Sequence, residues 1–229
     1  SHELPSPIAR MGLSAEMIGN GLALPKQRGI AGEPGDAEAA RLAEVNFTVL
    51  WQELDHMDKL IGDTLLTSRL EMQDPGELRG VVDLSGLCAN AAGRHDTAFR
   101  QAGVRFMRGV EGGILVMGDE TLLTQVLSNL LDNAAKYASG SEPKVRLRLF
   151  RETGHTVLTV ENTYSASLPE DALEHLFDPY FRYNQQVGSG VGLGLAIVKK
   201  IVILHGGNVT VSNTGTGVLF RLSFPLPAQ

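Results

Sequence analysis

The 229-residue sequence contains one cysteine, Cys88. An internal disulfide framework is therefore excluded, and with it most cysteine-based metal sites. A lone thiol fits a reducing compartment and suits a small buried hydrophobe. No apolar run approaches the ~20 residues needed to span a bilayer, and no secretory leader is visible. The chain opens inside what reads as a helix, which suggests a fragment whose parent carries any membrane segment elsewhere. Basic excess is missing as well. The formal net charge is −6, which argues against broad nucleic-acid binding through phosphate neutralisation. What remains has an ordinary globular balance, with length enough for one large domain or two small ones.

Glycine and proline are nearly absent from residues 37–71, Gly62 apart. There Leu42, Val45, Val49, Leu50, Leu54, Met57, Leu60, Ile61 and Leu65 recur in steps of three and four. This spacing predicts one long helix with an apolar stripe, ~50 Å if uninterrupted, which needs a partner helix or a second chain to cover it. Ile8, Met11, Ala15 and Ile18 keep the same spacing in an opening helix. The intervening Gly19–Gly35, with Pro25 and Pro34, predicts the loop of an antiparallel hairpin.

After Pro75-Gly76 the texture becomes mixed. Strands are predicted at 104–107, 114–117, 144–150, 156–160, 208–212 and 218–224, and helices at 122–138 and 195–204. The expected fold class is α+β: a helical hairpin over residues 1–75, then an α/β sandwich over 76–229 with a mixed sheet and helices on one face.

Asn129, Asn133, Lys136 and Tyr137 fall toward one face of a predicted helix whose other face is apolar. Amide oxygens are hard ligands suited to Mg²⁺, and a lysine suits phosphate. A solvated polar face would read the same way. Farther on, Gly188, Gly190, Gly192 and Gly194 stand at every second position and lead straight into an apolar helix. Such a loop lets backbone N–H groups approach a phosphate, with the helix N-terminus adding partial positive charge; a flexible hinge uses glycine in the same manner. No strand immediately precedes it and the G-x-x-x-x-G-K-[ST] pattern is missing, so a P-loop or dinucleotide fold is excluded. Between these motifs, Phe177, Tyr180, Phe181 and Tyr183 make either a closing lid or a plain aromatic mini-core.

This order of asparagine helix, aromatic box, glycine loop, helix and terminal hairpin resembles the ATP-binding domain of histidine kinases, part of the wider family shared with gyrase and mismatch-repair ATPases. The resemblance implies Mg²⁺ held by Asn133 with Asn129 beside it, phosphate met by Lys136, adenine packed on Tyr137, and the box Gly190, Gly192, Leu193, Gly194 around the ATP phosphates. Arg182 matches an arginine that the family keeps near the γ-phosphate. One box departs: Asn162 replaces an aspartate that accepts from the adenine amino group, and the glycines that follow it are missing. An asparagine oxygen still accepts that bond.

Ser1-His2-Glu3-Leu4-Pro5-Ser6-Pro7 resembles the phosphoacceptor box of the same kinases, with Pro5 in place of an arginine. Residues 55–71 resemble the second helix of their dimerisation hairpin. The resemblance thus implies ATP-dependent phosphorylation of His2, with Glu3 drawing off a ring proton and Arg182 offsetting charge. It implies transfer to a response-regulator aspartate, homodimerisation through the hairpin, and the cytoplasmic part of an inner-membrane bacterial protein. Ser6, on the face of His2, would place a water for the reverse dephosphorylation, or else only satisfy backbone groups beside the prolines. A non-enzymatic nucleotide module and a gyrase-type ATPase are the rival readings, and a tag remnant at Ser1-His2 is the rival for the acceptor.

Overall fold

The computed structural model describes residues 34–72, 80–184 and 191–226. The expected opening helix and its loop up to residue 33, together with His2, Glu3, Ser6 and Gly190, lie outside the described residues. So does Pro75-Gly76, on which the expected boundary near residue 75 rested. The chain divides into two compact units, Ser1–Gly62 and Asp63–Gln229.

Helix α1 (Pro34–Met72) runs through the first unit and ends in the second. It starts three residues before the glycine- and proline-poor stretch that begins at residue 37, because proline is tolerated in a first helical turn, where its missing N–H has no partner to lose. Within the first unit its large apolar side chains Val45, Phe47, Leu54 and Ile61 are exposed. In its last turns, which belong to the second unit, Leu66 and Leu70 pack on the core and Glu71 pairs with Lys200 at 2.5 Å.

The second unit holds two sheets. A short ribbon pairs β1 (Gly80–Asp83) with β3 (Leu115–Gly118) antiparallel, burying Val82 against Val116. The main sheet has the order β2 (Arg105–Val110), β4 (Lys144–Glu152), β5 (His155–Thr163), β7 (Gly217–Pro225), β6 (Asn208–Asn213). Only β2 and β4 are parallel. Strands have period two, so cross-strand register decides one core face. Leu147, Val160 and Phe220 are in register on it, as are Leu149, Leu158 and Leu222, all buried.

Helices α2 (Leu84–Gln101), α3 (Glu120–Tyr137) and α5 (Gly194–Leu204) complete the core; α4 (Glu170–His175) is short. All six expected strands and both expected helices of this unit are present. Strand β1, helix α2 and the short α4 were not expected. α2 buries Leu84 and Leu87 at its start and Phe99 at its end, but only the small Cys88, Ala91 and Ala92 between them, which breaks the large-residue stripe that would have announced a helix. It begins instead on a cap, Asp83 accepting the Gly86 N–H at 3.0 Å. Cys88 is fully buried, and burial with the nearby Asp83 charge pushes its thiol up to about 12. It is an inert core residue, as expected.

Candidate functional site

The site is built on the packing of α3 against α5. The apolar face of α3 (Leu123, Val126, Leu127, Leu130, Leu131) and that of α5 (Ile197, Val198, Ile201, Val202) are buried together. Two polar fastenings fix their register. At the start of α3, whose cap is Asp119 Oδ1 accepting from Leu122 N, the Asp119 N–H donates to His205 Nε2 at 3.1 Å, just past the end of α5. Ten residues along α3, Asn129 Nδ2 donates to the Gly194 carbonyl at 3.2 Å, at the start of α5. The helices therefore run antiparallel. Ten and eleven residues at 1.5 Å each span about 15 and 16 Å, so both fastenings close without strain.

This register leaves the last two turns of α3 extending past the start of α5. They carry Asn133, Lys136 and Tyr137. The N-cap position of α5 is Leu193, whose side chain has no oxygen, so among the described residues no side-chain cap closes the helix start. An uncapped helix start beside a polar helix end is chemistry for an anion and its counter-ion.

The two asparagines divide their work. Asn129 is buried, its oxygen accepting from Gln125 Nε2 at 3.1 Å and its amide committed to Gly194. Asn133, one turn on, is half-buried and makes no side-chain hydrogen bond among the described residues. Lys136 Nζ lies 5.0 Å from the Tyr137 ring centroid, and both side chains are half-buried.

The glycine loop meets the aromatic box through the backbone. The Tyr180 N–H donates to the Gly192 carbonyl at 3.0 Å. Gly192 has φ 82, and a Cβ there would stand 2.8 Å from the Phe181 oxygen. Leu193 is buried at the loop's end. Of the box aromatics, Phe177 joins the core and packs edge-on to Phe220, Phe181 lies beside the His175 ring, and Tyr180 and Tyr183 are exposed. The mini-core thus claims one end of the box and leaves the other on the surface. Arg182 lies within it, between Phe181 and Tyr183, half-buried.

Asn162 is buried on the core face of β5, in register with Val145 and Val218, its amide donating to the Thr163 carbonyl at 3.2 Å. The Ser139 N–H donates to that same carbonyl at 3.0 Å, which brings the segment after Tyr137 to the end of β5. The fold thus gathers Asn129, Asn133, Lys136, Tyr137, Gly192, Leu193 and Gly194 about two helices, with Asn162 at the neighbouring strand end. His2, Glu3, Ser6 and Gly190 stay outside the described residues.

Three contributors were not expected. Gln125 was legible in principle, lying one turn before Asn129. His205 and Asp119 are 86 residues apart and had no local signal.

Residues 118–228 match the family model described as histidine kinase-, DNA gyrase B-, and HSP90-like ATPase. The sensor-like histidine kinase SenX3 of Mycolicibacterium smegmatis is 29% identical over 98% of this chain and 55% of its own length. The chain spans about half the length of the curated relatives it matches. Among solved structures, the catalytic domain of histidine kinase ThkA is 28% identical with TM-score 0.58, covering 64% of this chain and 95% of that one. A structure of ThkA in complex with response regulator protein TrrA, 21% identical with TM-score 0.63 over 95% of this chain and 59% of that one, shares the fold.

Proposed function

The chain is related to the sensor histidine kinases through an ATPase-family domain at residues 118–228, and from that kinship we propose that it binds Mg-ATP, phosphorylates its own His2, and passes the phosphoryl group to a response-regulator aspartate. The observation that carries the reading is the projection of Asn133 and Lys136 past the uncapped start of α5. An amide oxygen without a hydrogen-bond partner among the described residues fits a hard cation, and a helix start without a side-chain cap fits phosphate. Mg²⁺ held there by Asn133 would neutralise phosphate oxygens. Lys136 binds phosphate as a compact positive charge, and Arg182 offsets charge at the transferred group. Tyr137 offers a ring to the base, and Asn162 accepts from its amino group. The Gly190–Gly194 backbone borders the phosphates.

At the acceptor, Glu3 takes the proton from one imidazole nitrogen of His2 while the other nitrogen attacks the γ-phosphorus, whose bond to the bridging oxygen breaks and releases ADP. The exposed apolar residues of α1 support a homodimer through the hairpin, which would present His2 to a kinase domain. A response-regulator partner is supported by ThkA, which was solved with one and shares this fold. Ser6 belongs to the reverse reaction, placing water against the regulator's phosphoaspartate. The parent protein would carry its membrane segment outside these residues.

The test is one incubation with γ-labelled ATP. Native chain should acquire acid-labile, base-stable label, and His2→Ala should lose it while still binding nucleotide. Label persisting at the native rate in His2→Ala would remove His2 from the role. A second reading, a nucleotide-sensing module without kinase activity, is favoured by one observation: at Asn162 a neutral amide, committed in part to the Thr163 carbonyl, stands where the resembling kinases use a carboxylate. Tight Mg-ATP binding with no phosphoprotein would select it.

A further inference from the structure

Helix α5 runs into an imidazole bonded at both ring nitrogens to backbone. His205 Nδ1 donates to the Ile201 carbonyl at 2.7 Å, and Nε2 receives the Asp119 N–H at 3.1 Å. A backbone N–H can only donate and a carbonyl can only accept, so one neutral tautomer alone satisfies both: proton on Nδ1, none on Nε2. Close approach is built in. A Cβ on Gly118 would lie 2.2 Å from the ring's Cδ2 and 2.5 Å from Nε2, so only glycine leaves room for the ring. On another side Phe224 meets the ring edge-on at 6.4 Å between centroids.

We propose that His205 is a positioning residue for the nucleotide: in this tautomer it holds α3 against α5, and protonation of its Nε2 loosens the grip on the phosphates. The inference rests on the nucleotide-binding reading above. The mechanical link is the pair of fastenings on one pair of helices. With His205–Asp119 intact, the position of α3 on α5 is set at two points. With it broken, Asn129–Gly194 is the one polar fastening left beside the apolar packing, and Asn133 and Lys136 lie beyond it. A protonated Nε2 turns an acceptor into a donor facing a donor, so the bond is lost outright.

The surroundings keep the ring neutral near pH 7. Burial holds the imidazole below its ordinary range, opposed by the bond to Ile201 and by the Asp119 charge. The elements packed against it offer Gly118 from β3, Phe224 from β7, Ile201 from α5 and Asp119 from α3; only Asp119 is charged.

The experiment measures Mg-ATP affinity by calorimetry on native chain, His205→Gln and His205→Ala from pH 7.5 to 5.5. Glutamine supplies one acceptor and one donor and does not titrate in this range, so it stands in for the neutral ring. At pH 7.5 His205→Gln should bind within about threefold of native, and His205→Ala about tenfold more weakly, the worth of one hydrogen bond. On acidification native affinity should fall further than that of His205→Gln, by less than about tenfold at pH 5.5 because the ring titrates below its ordinary value of about 6.5. Titration of the nucleotide and of other histidines is common to both chains and cancels in the ratio. Parallel profiles for native and His205→Gln would overturn the proposal, as would native-like binding by His205→Ala. Amide exchange at Asp119 separates the two levels of failure. If native chain binds no nucleotide at pH 7.5, both the functional reading and the positioning role fall. An Asp119 amide protected in native chain but not in His205→Ala would then leave the fastening as an element of the fold alone.

Discussion

Tyr180 and Gly192 face each other in left-handed backbone, with φ 67 and 82, and the Tyr180 N–H donates to the Gly192 carbonyl. Left-handed backbone costs a non-glycine residue about 1–2 kcal/mol, so the bond and the packing of this segment hold Tyr180 against a local preference. Gly192 has no alternative, since a side chain there adds a backbone collision to the strained angle. Gly192→Ala should therefore displace the aromatic box and weaken Mg-ATP binding at least tenfold. The core residues of α5 should still fold, so the melting temperature should fall by only a few degrees. Calorimetry with ATP, paired with thermal unfolding, checks both parts.

The two asparagines of α3 should separate in opposite ways. Asn129 is buried with its oxygen and its amide both used, so Asn129→Ala strands the Gln125 amide and the Gly194 carbonyl. Losing such bonds costs about 1–3 kcal/mol, or roughly 2–10 °C of melting temperature at this size. Asn133→Ala breaks no bond among the described residues, so stability should hold within about 0.5 kcal/mol. Its loss should appear only with ligand, as a vanished Mg²⁺-dependent rise in melting temperature on adding ATP. Thermal scans with and without Mg-ATP measure both variants in one series.

Exposed apolar residues on α1 predict a dimer. Ile61 is 55% exposed and Val45 60% exposed in the single chain. A stripe of that kind along a helix of ~58 Å is stabilised by a second helix and not by water. Ile61→Glu should shift the native dimer to monomer in sedimentation equilibrium and leave nucleotide affinity unchanged. A native chain that stays monomeric at high concentration would refute the hairpin dimer.

A pH effect of the opposite sign to that at His205 should arise at His95. Its Nε2 lies 3.0 Å from Asp132 and its Nδ1 2.9 Å from the Ala91 carbonyl, tying α2 to α3. The bond to Asp132 leads the causes that raise this imidazole above its ordinary value. The folded state then holds the proton more tightly than the unfolded chain. The stabilisation is fully present below about pH 6.5 and is lost as pH rises through the elevated folded value. Asp132 is 46% exposed, so solvent screening limits the pair to about 1 kcal/mol at most. Asp132→Asn should lower the melting temperature at pH 6 and change it little at pH 9.

By itself the sequence determined the elements with strong local periodicity. The alternation from Val218 to Phe224 and the apolar runs of α3 and α5 each encode a buried face within one segment, because strand and helix repeats are local properties. The glycine at position 192 was legible for the same reason: a backbone that must bend sharply announces itself by what it lacks. Helix α2 was not legible, since between Leu87 and Phe99 its buried face carries only Cys88, Ala91 and Ala92, and small residues pack tightly without a contrasting stripe.

Only the tertiary structure decided which polar residues hold the fold and which stay available to a ligand. Asn129 and Asn133 are identical in type and one turn apart. The Gly194 carbonyl, 65 residues downstream, engages the first and leaves the second. His205 reads locally as one more histidine after an apolar helix, and becomes a fastening only because chain folding brings Gly118 and Asp119 against its ring. A repeat pattern states which face of a segment avoids water. It does not carry the identity of the group across the gap, which follows from the packing of the whole unit.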